Sequence, residues 1–217
     1  MNKLEKIIKS KFVFFYGTKY DCEKEFDSLK QIENDIHGRN NGYIDLKKSK
    51  DPIYYDSLYE LKVLKELDKC SFIKKIKTQS LVIPYKTKKI YIPDIQILLD
   101  DNSIVLIEIK PFKDMVNSRN IKKYKALRKY AKENGYGFTF IDQDYYSFED
   151  LKNEVVPEKV ENAFLEFASI KKEFTFKDCK SFKTKYKLND YQICHILWRH
   201  NIILKYKQHV IYYKKNY

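Results

Sequence analysis

The stretch Ile90–Pro111 constrains the fold of this chain more than any other feature. It consists of two apolar segments separated by the polar residues Asp100–Ser103, a pattern that predicts two strands joined by a tight turn. Three charged residues, Asp94, Glu108 and Lys110, interrupt the apolar pattern. Charged groups within apolar strands are costly unless they are paired or bind a metal, so these three positions are the first candidates for a functional site.

The spacing of these residues predicts that their side chains meet. Glu108 and Lys110 are two residues apart, and side chains at that spacing lie on the same face of a strand. Asp94, on the first strand, can reach that face if the register of the hairpin allows it. The alternative is an exposed hairpin with a salt bridge between Glu108 and Lys110, but the flanking strands are very apolar for an exposed position.

A third acidic residue, Glu60, lies on a predicted apolar helix face. Residues 53–68 have helical periodicity, with Asp56 or Ser57 as the start of the helix. On a helical wheel of about 100° per residue, Glu60 falls between Leu64 and Leu67 and is expected to be buried. A buried glutamate needs a partner such as a cation. The alternative is a helix whose buried face is rotated away from this estimate.

The segments around the hairpin predict the rest of an α/β core. Thr78–Pro84 is interpreted as a strand that begins near Gln79, and Gly137–Ile141 as a further buried strand. Between the hairpin and this last strand, Asn117 or Ser118 can cap a long helix that runs to Asn134, with Gly135 as its stop. The predicted order from Ile53 to Ile141 is helix, three strands, helix, strand.

The two ends of the chain are predicted to differ from this core. We divide the sequence into an N-terminal extension (1–50), a core (51–146) and a C-terminal region (147–217). Gly38 and Gly42 flank Arg39 in a loop that could approach a phosphate, although a plain solvated turn explains the same pattern. The C-terminal region has the pattern helix, turn, helix, β-hairpin, which suggests a small winged-helix-like region.

The charge of the chain suggests a polyanionic partner. Its 43 Lys and Arg residues against 30 Asp and Glu give a formal charge of +13, and nucleic acid is the usual polyanion. A generally lysine-rich, solvated surface is the alternative. We predict that the exposed face of the long helix contacts DNA phosphates. Together with Arg39, the predicted DNA-binding residues are Arg119, Lys122, Lys123, Lys125, Arg128 and Lys129.

The four cysteines are widely scattered and form neither a CxxC pair nor a Cys/His cluster. This spacing predicts no zinc site and no disulfide framework, as in a reducing, cytoplasmic location. The N-terminus lacks a signal-peptide pattern, and no apolar run is long enough to span a membrane. We therefore expect a cytoplasmic protein that does not contact the membrane.

These motifs together resemble a known class of nuclease. Pro93-Asp94 followed by Glu108-Ile109-Lys110 resembles the PD-(D/E)XK motif of metal-dependent nucleases. With the upstream residues included, the pattern is similar to the TnsA-like endonucleases of cut-and-paste transposons over roughly Gly38 to Ile141. The residues that carry this wider resemblance are Ser57-x-x-Glu60, Gln79, Tyr85, Tyr91-x-Pro93-Asp94 and Glu108-Ile109-Lys110-Pro111.

The resemblance implies a fold and an activity. The fold would be a restriction-endonuclease-like core, a mixed central sheet flanked by helices in the order αβββαβ, followed by the small winged-helix-like region. The activity would be Mg²⁺-dependent hydrolysis of double-stranded DNA at transposon ends, with a transposase and an ATPase regulator as partners. Two alternatives are a phage- or defence-type nuclease acting on branched or terminal DNA, and a non-catalytic DNA-binding module.

Phosphodiester hydrolysis of this kind assigns a role to each candidate residue. Asp94, Glu108 and the Ile109 carbonyl would hold Mg²⁺, which prefers hard oxygen ligands and for which Mn²⁺ should substitute. Glu60 would reach a second ion or an outer-shell water. Lys110 would orient the attacking water and stabilise the developing charge. Gln79 is a candidate for supporting this first layer of ligands, although an ordinary edge-strand position explains it equally well.

Overall fold

The computed structural model of the 217-residue chain describes residues 1–15, 22–30, 40–86, 89–204 and 210–213. The predicted phosphate contact of Arg39 lies outside these residues. The helices of the described part are α1 (Lys3–Ser10), α2 (Cys22–Ser28), α3 (Leu58–Leu67), α4 (Phe112–Met115), α5 (Ser118–Asn134), α6 (Phe148–Lys152), α7 (Glu158–Lys171), α8 (Lys180–Tyr186) and α9 (Asp190–Arg199).

The strands of the described part form one five-stranded sheet and three smaller sheets. They are β1 (Val13–Phe14), β2 (Gly42–Ile44), β3 (Ile53–Tyr55), β4 (Ile73–Thr78), β5 (Ile83–Lys86), β6 (Lys89–Tyr91), β7 (Ile95–Leu99), β8 (Ile104–Ile109), β9 (Gly137–Ile141), β10 (Glu173–Thr175), β11 (Ile203–Leu204) and β12 (Val210–Tyr212).

The five-stranded sheet has the order β1-β9-β8-β7-β4 and is mixed. Strands β8 and β9 are parallel, because helix α5 carries the chain back between them, whereas the other neighbours are antiparallel. The predicted turn at Asp100–Ser103 joins β7 and β8, whose register places Ile95 opposite Ile107. The prediction of an α/β protein with a mixed central sheet is confirmed.

Helices cover both faces of this sheet, so its central strands are buried throughout and mostly apolar. Ile97 on β7 and Ile107 on β8 belong to one core cluster with Val63 and Leu64 of α3. On the opposite face, the ring of Tyr124 on α5 contacts Phe138 and Phe140 of β9. Burial on both sides removes the alternation of apolar and polar residues that a half-exposed strand would show.

The structure corrects the predicted helix 53–68. Ile53–Tyr55 forms strand β3, which pairs with β2, and the helix begins only after Ser57. The hydroxyl of Ser57 accepts a hydrogen bond from the Glu60 backbone N–H, which is the usual way for a serine to start a helix. The predicted start at Ser57 is therefore confirmed, whereas the apolar residues before it belong to a strand.

The predicted strand Thr78–Pro84 is also wrong. Strand β4 ends at Thr78, Gln79 follows it with a φ of 44°, and β5 begins only at Ile83. Strand β4 was missed because three of its six residues are lysines, whose side chains hide the alternation of buried and exposed positions. Helix α5 ends before Gly135, which has a φ of 68°, as predicted.

The chain divides into two compact units. One contains Met1–Lys110 and Lys123–Ser147, and the other contains Pro111–Lys122 and Phe148–Tyr217. The second unit has α9, which is capped at its N-terminus by Asn189, and a three-stranded sheet of order β10-β12-β11. The predicted domain boundaries, the restriction-endonuclease-like core and the winged-helix-like region stay predictions. Within the described ranges, no helix is both long and apolar enough to cross a membrane.

Candidate active site

Asp94 lies in a short break between β6 and β7. The prediction that it lies within a strand is therefore wrong. Pro93 interrupts the strand because proline cannot donate to a β-ladder. The side chain of Gln96 fixes this break: its Nε2 donates to the Pro93 carbonyl at 3.1 Å, and its Oε1 accepts from the Ser80 N–H at 3.1 Å. Gln96 is fully buried on β7, and the sequence signal for it is a single amide within a run of Ile and Leu.

The carboxylate of Asp94 is held against the end of strand β8. Its Oδ2 accepts a hydrogen bond from the Ile109 N–H at 2.7 Å and one from Lys110 Nζ at 3.1 Å. The predicted approach of Asp94 to the residues of the second hairpin strand is therefore present in the structure. The main-chain donor orients the carboxylate, so its position does not depend on side-chain rotamers alone.

Glu108 is the most buried of the candidate residues, with no exposed surface. Its Oε1 lies 2.9 Å from Lys110 Nζ and 3.4 Å from Lys123 Nζ. Its Oε2 accepts a hydrogen bond from the Tyr91 hydroxyl at 2.8 Å. Three donors thus satisfy a carboxylate that would otherwise be very unfavourable in the apolar sheet.

The ammonium group of Lys110 lies at the centre of the site. Lys110 follows β8, where its N–H continues the pairing with β9 by donating to the Ile141 carbonyl at 2.9 Å. Its Nζ donates to the Ile109 carbonyl at 2.8 Å and contacts one oxygen each of Asp94 and Glu108. One cationic atom is therefore within 3.1 Å of three of the four groups that are predicted as metal ligands, all except Glu60.

The electrostatics of the site follow from burial and from these charges. Burial and the neighbouring charge of Glu108 raise the pKa of Asp94 well above its ordinary value. Burial acts in the same direction on Glu108, but the ammonium groups of Lys110 and Lys123 outweigh it and lower the pKa of that carboxyl. Burial opposes the charged form of Lys110, yet Asp94 and Glu108 raise its pKa above its usual value, so Lys110 is a cation at neutral pH.

Glu60 is buried, as its place on the helical wheel predicts. Its Oε2 accepts from the Asp56 N–H at 2.8 Å and its Oε1 from the Ser57 hydroxyl at 2.9 Å. Burial raises its pKa, and its charge in turn raises the pKa of Asp94 and of Lys110. Among the described residues, no three His, Cys, Asp or Glu side chains form a group that could hold a metal ion. A role for Glu60 towards a second ion stays a prediction.

Gln79 contacts Asp94 by a hydrogen bond between their backbones. Its N–H donates to the Asp94 carbonyl at 3.2 Å, directly after β4. The predicted supporting role of its side chain stays a prediction. The buried glutamine that shapes the break before β7 is Gln96.

The basic residues of α5 divide into two groups. Lys123, predicted on the exposed basic face, is partly buried and directed at Glu108, with its Nζ 4.9 Å from the centre of the Tyr91 ring. The other predicted DNA-binding residues of this helix are exposed, and their contact with DNA stays a prediction: Arg119, Lys122, Lys125, Arg128 and Lys129.

The arrangement gathers hard oxygen atoms around one positive charge. Asp94 supplies a carboxylate with a raised pKa, Glu108 supplies a second carboxylate, and Ile109 supplies a carbonyl. These are the ligands that Mg²⁺ prefers, and a divalent cation would relieve the repulsion that raises the pKa of Asp94. The donor set therefore fits the ion that the sequence predicts.

Comparison with known proteins places this site within a recognised domain. Residues 70–143 match the family model described as the N-terminal domain of TnsA-like endonucleases, so the predicted resemblance is confirmed over about a third of the chain. The matched segment includes Asp94, Glu108, Lys110 and Lys123, whereas Glu60 precedes it. No curated protein matches the chain.

Proposed function

We propose, on the basis of the similarity of residues 70–143 to TnsA-like endonucleases, that this protein is a metal-dependent DNA endonuclease that acts with a transposase at transposon ends. The observation that carries the proposal is the position of Lys110 Nζ between Asp94, Glu108 and the Ile109 carbonyl, all of them in the matched segment. A purely structural salt bridge would not need two buried carboxylates and a carbonyl around the same ammonium.

Asp94, Glu108 and the Ile109 carbonyl are the residues that would hold Mg²⁺, with Mn²⁺ as a substitute. When bound, the ion supplies a metal-activated hydroxide and neutralises charge on the phosphate. The Ile109 N–H holds Asp94 in place through its 2.7 Å hydrogen bond, and the Tyr91 hydroxyl holds Glu108. These two donors fix the ligands before substrate arrives, which reduces the reorganisation that the reaction requires.

Lys110 acts as a cationic donor in this proposal. Asp94 and Glu108 raise the pKa of Lys110, which favours its protonated, hydrogen-bond-donating form. Once another cation holds the carboxylates, its ammonium can donate to the attacking water or to a phosphate oxygen. In either position it stabilises the negative charge that develops during phosphodiester hydrolysis.

The proposal is tested by the metal dependence of cleavage. Purified protein should nick or linearise supercoiled plasmid, or DNA carrying a transposon end together with the partner transposase, in Mg²⁺ or Mn²⁺. EDTA should abolish cleavage, and restored Mg²⁺ should recover it, because hard oxygen ligands hold such ions reversibly. Equal cleavage with and without EDTA would contradict a metal-dependent mechanism, and DNA binding without any cleavage in either assay would favour a non-catalytic module.

Lys123→Met should slow cleavage about tenfold, because Lys123 helps to keep Glu108 ionised at a buried position. Without this ammonium the pKa of Glu108 rises, so the acidic limb of the pH–rate profile should move to higher pH. Single-turnover rates measured across the pH range check both expectations.

Lys122→Met is the matched control for Lys123→Met. It removes the same charge from the adjacent, exposed position of the same helix. This variant should leave the pH profile in place and change only the binding of DNA. Identical pH profiles for both variants would show that Lys123 acts through general charge and not through Glu108.

A further inference from the structure

A lysine-rich cavity lies beside the edge strand β4, in the same compact unit as the candidate active site. It has a volume of about 770 Å³ and is bounded by the end of α2, the loop 47–51 and strand β4. We call it the lysine cavity. Its lining residues are Phe26, Asp27, Leu29, Lys30, Lys47, Lys48, Ser49, Lys50, Asp51, Ile53, Lys74, Lys75, Ile76 and Lys77.

The charge of the lysine cavity is strongly positive. Seven of its fourteen lining residues are lysines and two are aspartates, which leaves a surplus of five positive charges. Asp27 is already paired, because its carboxylate lies 2.8 Å from Lys75 Nζ. Such an accumulation repels itself and attracts anions.

Two of the lysines build the walls of the cavity. Lys48 Nζ donates to the carbonyls of Cys70 and Ile73, the latter at 2.6 Å, and this ties the loop 47–51 to the start of β4. Lys77 Nζ donates to the Phe26 carbonyl at 2.8 Å and closes the end of α2. Burial lowers the pKa of Lys77, as expected of a structural lysine held in an apolar wall.

Four other lysines carry the charge that is available to a ligand. Within the described part of the chain, Lys30, Lys47 and Lys50 are exposed and have no acidic partner. Lys74 is bonded to the neutral Asn102 side chain at 2.7 Å. No carboxylate of the described residues pairs with these four ammonium groups, so all four are available to an incoming anion.

The lining of the cavity offers no exposed aromatic ring for stacking. Phe26 is the one aromatic residue of the lining and has no exposed surface, Ile53 and Ile76 are at most 2% exposed, and Leu29 is partly exposed. A nucleobase held by stacking would therefore lack its usual partner. The lysine side chains instead favour a ligand that is recognised by its negative charge, such as a phosphate group.

We propose that the lysine cavity binds the sugar-phosphate backbone of DNA, as a second contact apart from the site of cleavage. This inference rests on the proposed function, because it takes the nuclease substrate as the source of the phosphates. Binding there is independent of sequence, since phosphate contacts position a nucleic acid without reading its bases. It also adds to the salt dependence, because each phosphate contact releases a counterion.

The test compares Lys47→Gln/Lys50→Gln with Lys3→Gln/Lys6→Gln. The control removes two positive charges from exposed positions on α1 in the same compact unit. Binding of a labelled duplex is measured by fluorescence anisotropy in EDTA over a series of salt concentrations. The cavity variant should bind DNA about tenfold more weakly, and its plot of log binding constant against log salt should become less steep by about 2. The control variant should change neither the affinity nor this slope by much.

Each other outcome overturns the inference in a distinguishable way. Equal losses of DNA affinity in both double variants would show that the cavity contributes only general surface charge. Unchanged DNA binding combined with lost binding of polyglutamate would identify an acidic protein as the partner. Failure of the wild-type protein to bind DNA at all would overturn the proposed function itself. Circular dichroism and thermal melting of both variants verify that they remain folded.

Discussion

Asp94→Asn should reduce DNA cleavage by at least about a thousandfold while the protein becomes more stable. The loss of activity follows from removing the charge of the carboxylate that we propose as a metal ligand and that lies 3.1 Å from Lys110 Nζ. The gain in stability follows from the raised pKa of Asp94, because its ionised form is less favourable in the folded protein than in the unfolded chain. Asparagine keeps an oxygen that can accept from the Ile109 N–H, so the local structure should be retained.

The pH dependence of this gain has a defined sign. A folded-state pKa above the unfolded value means that the native protein binds more protons, so its stability falls as pH rises past about 3.9. An asparagine side chain cannot ionise, so the stability of the Asp94→Asn variant should not fall with pH for this reason. Its melting temperature should match the wild type near pH 4 and exceed it near pH 8, by about 2–4 °C for each kcal/mol.

Asp101→Asn provides the comparison for Asp94→Asn. Asp101 lies exposed in the turn between β7 and β8, where its Oδ1 accepts from the Ser103 N–H. The same chemical change there should alter neither cleavage nor the pH dependence of stability. Cleavage of DNA by the Asp94→Asn variant at the wild-type rate would show that the active site is wrongly assigned.

The central strands and the site residues were predictable because burial dominates their sequence. Apolar strands that carry Asp, Glu and Lys leave few arrangements other than a meeting of those three groups, and the structure brings Asp94 and Glu108 within 3.1 Å of Lys110 Nζ. Glu60 was predictable for the same reason, since an acidic residue within a helical apolar stripe must be buried. In both cases the pattern is local, and the residues that matter are charged where their neighbours are apolar.

The partners of these residues were not predictable from local patterns. Gln96 and Tyr91 look like ordinary strand residues in the sequence, and their roles depend on the contacts of Gln96 with Pro93 and of Tyr91 with Glu108. Lys123 belongs to a helix with many lysines, and only the position of α5 on the sheet shows that this one is directed at Glu108. Strand β4 was missed because its lysines obscure the periodicity. Tertiary contacts, which a single sequence does not reveal, decide each of these cases.

Lys110→Met should also abolish cleavage, but it should destabilise the protein, in contrast to Asp94→Asn. Methionine keeps most of the length of the side chain and removes the ammonium that Asp94 and Glu108 share. Breaking a buried ion pair by removing one partner costs about 3–5 kcal/mol, because the remaining charge has no compensation. The loss should be largest near pH 8, and acid should reduce it, because the uncompensated carboxylates then take up protons.

The double variant Asp94→Asn/Lys110→Met separates electrostatics from packing. If the cost of Lys110→Met comes from uncompensated carboxylates, neutralising Asp94 should recover part of the lost stability, so the two changes should be non-additive in a double-mutant cycle. Lys125→Met, an exposed change of the same charge on α5, should leave stability unchanged and affect only the binding of DNA. A Lys110→Met protein as stable as the wild type near pH 8 would mean that its ammonium does not stabilise these carboxylates. Other residues would then have to balance the charge of Asp94 and Glu108, and the proposed role of Lys110 at this site would be wrong.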